Sequence, residues 1–516
     1  MPQAAIAAGH RETARAAADI IGEGGTAVDA VLAGLLASCV AEPVLSSLGG
    51  GGFLLVRPAD GRPVVYDFFA QTPRRKRPEG EIAIEQIHAD FGTATQPFWI
   101  GPGTIATPGV VSGVFAAHGD HGRVPITMVA EPASRLARTG VPFSDFQAHV
   151  STIVAPIVLA TPESRALFAD PKEPEKPLSS GAVFTSPAMA DVIESVAAEG
   201  PRLFYEGEIA AAIAEACLAK GGHLTQEDLA AYETVRRQPL ETSFGGIKLL
   251  TNPPPAAGGS LVAFALSLLD GRDFGKERFL GAQHAAAIAQ AIQLTDRARL
   301  EAGSDRDMAA MAEALIRPGL LQHYKRTMTA HSVMTRGTTH LSVVDRDGTA
   351  ATLTVSNGEG CGWVDSDLGF MLNNMLGEEE LQPGGIGSWV PDSRLSSMTA
   401  PTVAETREGA LTALGSGGSS RIRSAVLQVL IDRFGFGKPL DAAVEAPRLH
   451  VEGARADIEP GFDEEAADAV GALHLDCVRW DQQNMFFGGV HAVERLPNGA
   501  VAAAADPRRD GAALIV

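Results

Sequence analysis

Cysteine and basic residues are scarce in this chain of 516 residues. The four cysteines, Cys39, Cys217, Cys361 and Cys477, lie far apart and form no CxxC pair, which excludes a disulfide framework or a cysteine zinc site. Lysine and arginine number 42 against 62 aspartates and glutamates, so the formal net charge is −20. Because so negative a surface repels phosphate backbones and anionic lipids, we expect neither nucleic acid nor a membrane as a partner.

Long apolar runs are also missing. The longest, residues 30–40, has 11 residues, well short of the roughly 20 that a membrane-spanning helix needs. The first residues include His10, Arg11, Glu12 and Arg15 and show no apolar core after a basic start, so no signal peptide is visible. We therefore expect a cytoplasmic protein in a reducing compartment.

Several catalytic motifs are absent as well. The chain has no phosphate-binding GxxxxGK[ST] loop and no zinc-binding HExxH helix, and its 13 histidines show no spacing typical of metal ligands. The absence of a GxSxG elbow argues against an α/β-hydrolase, and the glycines around Gly358 lack the GxGxxG register of a dinucleotide site. We expect neither a metal nor an organic cofactor.

The apolar pattern predicts helices mixed with paired strands. Residues 10–41 have the spacing of two helices separated by a glycine-rich break, and residues 105–300 are mainly helical apart from an exposed loop at 162–177. A glycine-rich turn opens a further helix at 421–434. Strands are predicted at 53–56, 64–68, 339–344, 350–356, 369–373 and 411–414. Hairpins with flanking helices indicate an α+β layered fold with antiparallel sheets.

One of these strands begins with threonines. Gly337 precedes Thr338, and Thr339 and His340 follow it. Threonine at the start of an exposed strand is most often explained by β-propensity, so this motif by itself is weak evidence of catalysis.

Short motifs accompany Thr338 along nearly the whole chain. They are Leu48-Gly49-Gly50-Gly51-Gly52-Phe53, Thr107-Pro108-Gly109, Gly221-Gly222-His223-Leu224-Thr225, Pro253-Pro254-Pro255, Leu372-Asn373-Asn374, Leu395-Ser396-Ser397-Met398, Gly415-Ser416-Gly417-Gly418 and Ala505-Asp506-Pro507-Arg508. With this ordered set the chain resembles the γ-glutamyltransferase (γ-glutamyltranspeptidase) family of N-terminal nucleophile hydrolases.

The resemblance implies a four-layer αββα sandwich, in which two stacked antiparallel sheets lie between helical layers. It also implies a precursor that cuts its own bond between Gly337 and Thr338. The large segment, 1–337, and the small segment, 338–516, then form a heterodimer with one intertwined domain. The Thr338 hydroxyl becomes the nucleophile, and its new α-amine, which titrates at roughly 7.7–8.0, becomes the base.

The resemblance also implies a catalytic set around Thr338. The backbone N–H groups of Gly418 and Ser419 match the family's oxyanion hole, although an ordinary helix N-terminus explains the same turn. Ser356 matches the threonine that hydrogen-bonds the nucleophile, and Thr339 matches a side chain that supports the processed site.

Some of the donor-binding positions are retained. Ser396 and Ser397 match the serine pair that holds the donor's α-carboxylate in the family, although such a pair also suits a solvated loop. Glu378 falls where the family has an aspartate that binds the donor's α-amino group, and one solvated acid in the run 378–380 is almost as good an interpretation.

Other donor-binding positions depart from the family. Phe69 replaces the arginine that clamps the glutamyl α-carboxylate, and Met375 replaces a glutamate or glutamine. The expected asparagine two residues after Ser356 is a glycine, with Asn357 one step out of register. The basic run 74–77 lies close in sequence, and we interpret it as a solvated loop rather than as a replacement clamp. Without the clamp, a charge-assisted bidentate contact is missing.

Three hypotheses remain. The first is an autoprocessed hydrolase or transferase that cleaves γ-glutamyl amides such as glutathione through an acyl-enzyme on Thr338. The second keeps this nucleophile but takes another small N-acyl amide, as the cephalosporin and glutaryl acylases of the family do. The third is an uncut binding protein, and Thr338, Ser356 and the glycine-rich turn argue against it.

Overall fold

The computed structural model describes residues 2–90, 95–303, 307–317, 320–321, 338–382 and 384–516. Gly337, one side of the predicted cleavage bond, lies outside these residues. In the described part of the chain, no helix has both the length and the apolar character to cross a bilayer.

Twenty strands are present in the described residues. They are β1 Ala4–Ala8, β2 Gly51–Arg57, β3 Val64–Phe68, β4 Glu85–Asp90, β5 Thr95–Ile100, β6 Val141–Pro142, β7 Val183–Phe184, β8 Val235–Arg237, β9 Leu240–Phe244, β10 Ile247–Thr251, β11 Thr339–Asp345, β12 Ala350–Ser356, β13 Thr402–Glu405, β14 Leu411–Gly417, β15 Leu449–Glu452, β16 Arg455–Ile458, β17 Asp476–Arg479, β18 Gly489–Arg495, β19 Val501–Ala505 and β20 Ala512–Ile515.

Two large antiparallel sheets organise most of these strands. The first has the order β20-β1-β11-β12-β2-β3-β8, and the second has the order β19-β18-β14-β13-β10-β9. β11 therefore lies between β1 and β12, and β12 pairs with β2, so strands from before and after residue 338 are interleaved within one sheet. Three small sheets (β15-β16-β17, β4-β5 and β6-β7) lie apart from them.

Seventeen helices surround the sheets in the described residues. They are α1 Arg11–Gly22, α2 Ala27–Ala41, α3 Val110–His121, α4 Ile126–Thr139, α5 Asp145–Ile153, α6 Ala155–Val158, α7 Pro162–Phe168, α8 Pro187–Glu199, α9 Arg202–Tyr205, α10 Glu208–Ala219, α11 Gln226–Ala230, α12 Ala257–Leu269, α13 Ala282–Glu301, α14 Met308–Leu315, α15 Arg421–Leu430, α16 Leu440–Glu445 and α17 Glu464–Gly471.

Strand alternation divides the apolar residues between the layers. On β2, Leu54 and Val56 belong to the core shared with α1 and α2, whereas Phe53 and Leu55 belong to the core between the two sheets. A third core joins the outer face of the second sheet to α12, α13 and α15. The layers are thus helix, sheet, sheet and helix, which confirms the α+β sandwich.

The helix pair before residue 42 is confirmed, and its sequence explains it. Thr26 and Asp29 form a reciprocal capping box at the start of α2. Every residue of α2 is buried, as expected for a helix that is apolar on all sides.

Two local predictions are wrong. Residues 369–373 form only isolated bridges, from Met371 to Val364 and from Leu372 to Gly49, because the chain crosses the end of the sheet instead of joining a ladder. The predicted loop at 162–177 begins with helix α7, since Thr161 caps it reciprocally with Ser164.

Candidate active site

Thr338 stands directly before β11, where the two large sheets meet. In the β11–β12 ladder Thr339 lies opposite Val355, and the same register places Thr338 opposite Ser356 at the end of β12. The Oγ of Ser356 accepts the N–H of Gly358 at 3.0 Å. Both hydroxyl residues line one cavity, so the structure brings the predicted nucleophile and its predicted partner together.

A tight turn of the second sheet lies against Thr338. A Cβ on Gly417, the last residue of β14, would stand 2.1 Å from the Thr338 carbonyl oxygen, so only glycine fits there. Gly418 and Ser419 follow with φ angles of 120° and 55°, and α15 begins at Arg421. Ser419 therefore holds a left-handed conformation that costs a non-glycine residue about 1–3 kcal/mol. This strained turn leads into the helix N-terminus beside the nucleophile.

The cavity beside Thr338 is small, about 30 Å³. It is lined by Phe69, Thr338, Ser356, Glu378, Leu381, Ser397, Met398, Thr399, Ser419 and Ile422. Hydroxyl groups surround Thr338, apolar side chains make up much of the remaining wall, and Glu378 supplies a carboxyl group. None of these described lining residues carries a positive charge.

Phe69 lines the cavity with an aromatic ring. We call the part of the cavity at Phe69 and Glu378 the acyl end. The ring is buried and stacks on Phe53 with centroids 5.3 Å apart. Its backbone carbonyl accepts the hydroxyl of Tyr232 at 2.7 Å and also a hydrogen bond from Nη1 of Arg394. Arg394 further pairs with Asp67 at 3.8 Å. This arginine binds the backbone behind Phe69 and is not among the lining residues.

The basic run 74–77 does not replace the missing clamp in this structure. Arg74 pairs with Glu227 at 3.5 Å, and Arg77 pairs with Glu81 at 3.2 Å. Neither arginine lines the cavity. The interpretation of this run as a surface loop agrees with these contacts.

Glu378 and Ser397, which the sequence predicts to bind the donor's polar head, both line the cavity. Glu378 is buried at the cavity wall, and a Cβ on Gly358 would stand 2.5 Å from its Oε1. Gly358 also has a φ of 62°. Glycine suits this position because it has no Cβ to collide with the carboxyl group and because it adopts a positive φ without strain. The Ser397 hydroxyl donates to Oγ1 of Thr399 at 3.1 Å.

Three predicted donor-binding residues are not among the lining residues. The Ser396 hydroxyl donates to the Pro255 carbonyl at 2.7 Å. The Asn357 side chain donates to the Met371 carbonyl at 3.3 Å. Met375 is fully buried in the core between the sheets. Their roles in donor binding stay predictions.

The residues after Thr338 face the interior. The Thr339 hydroxyl donates to Oε2 of Glu42 at 2.5 Å. His340 contacts Thr354 through Nδ1 at 2.8 Å and Ser342 through Nε2 at 2.9 Å. Burial lowers the pKa of His340 well below its usual value, so the ring is neutral and serves to link neighbouring strands.

Comparison with known protein families shows which family this chain belongs to. The family model described as Gamma-glutamyltranspeptidase matches residues 13–516. The chain belongs to this family.

Two curated relatives and one solved structure show the range of the family. The chain is 30% identical to the Glutathione hydrolase proenzyme of Escherichia coli (strain K12), covering 95% of this chain and 88% of the relative. It is also 30% identical to the Acylase ACY 1 proenzyme of Pseudomonas sp. (strain V22), covering 99% and 93%. The cephalosporin acylase from Bacillus halodurans superposes with a TM-score of 0.84 at 22% identity, covering 99% and 96%.

These relationships establish two points about this γ-glutamyltranspeptidase family member. It is an enzyme of the N-terminal threonine hydrolase type. Its fold is that of the family's acylases. The relatives include both glutathione hydrolases and acylases, so they do not choose between the two donor classes.

Sequence reasoning missed part of the site. Met398 and Thr399 directly follow the serine pair, so extending that motif by two residues would have found them. Leu381 and Ile422 carry no comparable signal. Glu42 directly follows α2, whose residues are all buried, an unexpected place for a charge. In the described residues, no group of three or more His, Cys, Asp or Glu side chains is arranged to hold a metal ion.

Proposed function

We propose that this protein is an autoprocessed amidohydrolase that uses Thr338 as nucleophile and takes an N-acyl amide whose acyl chain carries an amino group. The observation that supports the donor assignment is the lining of the cavity, where Glu378 is the one acidic residue among the described lining residues and Phe69 stands in place of the family's arginine clamp. The precursor is cut between Gly337 and Thr338 into segments 1–337 and 338–516. The interleaving of strands in the first sheet supports a heterodimer that stays together after cleavage.

Cleavage supplies the base that a threonine hydroxyl needs. The free α-amine of Thr338 accepts the hydroxyl proton as Oγ1 attacks the amide carbonyl carbon. Ser356, opposite Thr338 in the ladder, orients the nucleophile through its hydroxyl. The backbone N–H groups of Gly418 and Ser419 bind the oxyanion, a contact that contributes about 2.7–4 kcal/mol per donor in comparable sites.

The tetrahedral intermediate then collapses to the acyl-enzyme. The C–N bond breaks, the α-ammonium returns its proton to the leaving amine, and an ester forms on Oγ1 of Thr338. Water, deprotonated by the same amine, hydrolyses this ester and releases the acid. An amine in place of water gives transfer. The reaction of the small amide substrate uses only groups that this chain supplies, together with water or an acceptor amine.

The charges at the acyl end select the donor. An ammonium group on the acyl chain pairs with Glu378, whereas a carboxylate there meets the same acid and no cation among the described lining residues. A glutaryl chain is therefore disfavoured. Leu381 and Met398 cover the methylene groups of an acyl chain.

γ-Glutamyl amides are the second candidate donor. Ser397 and Glu378 line the cavity where the family binds the γ-glutamyl head, which supports them. Their α-carboxylate, however, would have to be held by hydroxyl groups alone. A cytoplasmic location, expected from the sequence, stays a prediction.

Four anilides separate these donors: γ-aminobutyryl, γ-glutamyl, butyryl and glutaryl. They carry, respectively, an amine, an amine with a carboxylate, neither group, and a carboxylate. We expect kcat/KM to be highest for γ-aminobutyryl and lowest for glutaryl. Losing the amine and gaining the carboxylate should each lower it about 10-fold, because each changes one charged contact, so γ-glutamyl and butyryl should fall between the two. A γ-glutamyl anilide that exceeds γ-aminobutyryl by 10-fold would establish the γ-glutamyl assignment instead. Glutaryl as the best donor would refute the role of Glu378.

A further inference from the structure

A buried carboxyl group contacts the residue that follows Thr338. Glu42 directly follows α2 and is fully buried. Its Oε2 accepts the Thr339 hydroxyl at 2.5 Å, and its Oε1 accepts the Thr13 hydroxyl at 2.8 Å. One carboxyl thus joins helix α1 to the residue that follows the nucleophile.

The carboxyl is held tightly in this place. The Glu42 carbonyl accepts the N–H groups of Leu45 at 2.8 Å and Ser46 at 3.0 Å, which fixes the backbone at the end of α2. A Cβ on Gly9 would stand 2.5 Å from Oε2 of Glu42 and 2.4 Å from Oγ1 of Thr339. Gly9, in the β1–α1 loop, therefore packs directly against both side chains.

A buried arginine holds the peptide group between Thr338 and Thr339. Nη1 of Arg509 donates to the Thr338 carbonyl at 3.3 Å. Burial lowers the pKa of Arg509 to about 10, a shift that Asp506 and Glu42 oppose. Burial raises the pKa of Glu42 to about 7, and Arg509 opposes that shift. The Arg509 guanidinium and the Glu42 carboxyl therefore interact electrostatically.

We propose that Glu42 is a positioning residue for the nucleophile: by holding Thr339 it fixes the start of β11, and with Arg509 on the intervening carbonyl it sets the direction of the Thr338 side chain. The proposal rests on the proposed function, since it assigns a role in that reaction. Glu42 acts through Thr339 and touches no reacting atom. A displacement of about 1 Å at a nucleophile lowers the rate by as much as about 10²-fold.

Two threonines that contact the same carboxyl allow a matched test. Thr339→Val and Thr13→Val each remove one hydroxyl bond to Glu42 by the same near-isosteric change at a buried position. Only Thr339 is joined to the nucleophile. The readouts are the rate at which the two fragments form, followed by intact mass, and kcat and KM for γ-aminobutyryl anilide.

We expect Thr339→Val to slow processing and lower kcat by about 10-fold, with KM within about twofold of the wild type. Thr339→Ser, which keeps the hydroxyl, should restore most of the rate. Thr13→Val should leave both rates within about twofold. Equal losses in the two valine variants, an effect on KM alone, or no loss in Thr339→Val would overturn the positioning role.

A double-mutant cycle ties the effect to Glu42 itself. If Glu42 acts through Thr339, adding Thr339→Val to Glu42→Leu lowers kcat no further. Independent losses would contradict the proposal, and if Glu42→Leu does not fold, the threonine variants decide alone. A wild-type chain that stays uncut and inactive refutes the proposed function and this inference with it. Normal wild-type processing with an unaffected Thr339→Val refutes the inference only.

Discussion

The nucleophile end of the cavity is built from strand ends, whereas the acyl end is built from loops. Thr338, Ser356 and Gly417 stand at the ends of β11, β12 and β14, in ladders whose register fixes them. Phe69 follows β3, and Glu378 lies in a segment of short turns. The proposed catalytic end is thus held by two sheets, and the proposed donor-binding end is held by loops.

This contrast explains how glutathione hydrolases and acylases can share one family. At the strand ends backbone packing is tight, since a Cβ on Gly417 would stand 2.1 Å from the Thr338 carbonyl oxygen. Replacing Phe69 changes the charge of the cavity while the ladders remain. The comparison predicts that substitutions at the nucleophile end remove activity with every donor, and that substitutions at the acyl end change only the order of donors.

The largest effect is expected for Thr338→Ala. Without the hydroxyl neither the processing step nor acyl transfer can occur, so the chain should stay at full length and lose activity by at least about 10³-fold with every donor. Intact-mass analysis after prolonged incubation checks the cleavage. Thr338→Ser is the control, since it keeps a hydroxyl and should still be cut slowly. A Thr338→Ala chain that is cut at the same bond would remove Thr338 from the mechanism.

A smaller loss is expected for Gly418→Ala. The φ of Gly418 is 120°, and a Cβ would stand 3.0 Å from Cα of Gly488, so the oxyanion turn must shift. We expect kcat to fall by about 10²-fold for all donors.

Gly409→Ala is the matched control for that variant. Gly409 also has a positive φ, 90°, but open space surrounds it in the turn between β13 and β14. Both substitutions should lower the free energy of unfolding by about 1–3 kcal/mol. Only Gly418→Ala should lower kcat. Equal kcat losses in the two variants would show that backbone strain at either end of β14, and not a shift of the turn at Gly418, lowers the rate.

The smallest effect is expected at the acyl end, from Phe69→Arg. A cation at this position should raise kcat/KM for γ-glutamyl anilide about 10-fold relative to γ-aminobutyryl anilide, because it pairs with the α-carboxylate. The melting temperature should fall, since the stacking on Phe53 is lost. Phe69→Leu tests the loss of the ring without the charge and should leave the donor order unchanged. An unchanged order in Phe69→Arg would show that more than the clamp separates this cavity from a γ-glutamyl site.

Local signals in the sequence account for the parts of the fold that were predicted. The Asp-Arg-Asp-Gly turn marks the β11–β12 hairpin, and Asp345 accepts the N–H of Thr349 there at 3.0 Å. The glycine-rich break before Thr26 separates α1 from α2. Such features depend on neighbours in sequence, so periodicity and turn residues suffice to find them.

Contacts between distant residues account for most of what was missed. Glu42 and Thr339 are separated by 297 positions, and only the packing of α2 against the first sheet brings them together. Residues 369–373 have strand-like composition, but they form only isolated bridges, to Val364 and to Gly49, which composition alone cannot show. Ser396 was assigned with Ser397, yet its hydroxyl turns to Pro255, which composition alone cannot show.

The pairing of β1 with β20 has a consequence for the timing of synthesis. β11 takes its place beside β1, which also pairs with β20 near the end of the chain, and Arg509 contacts Thr338 from that same region. On the ribosome, the surroundings of Thr338 therefore stay incomplete until β20 has been made. We expect a chain that is interrupted before β20 to remain uncut, which intact-mass analysis of such a truncated chain would check.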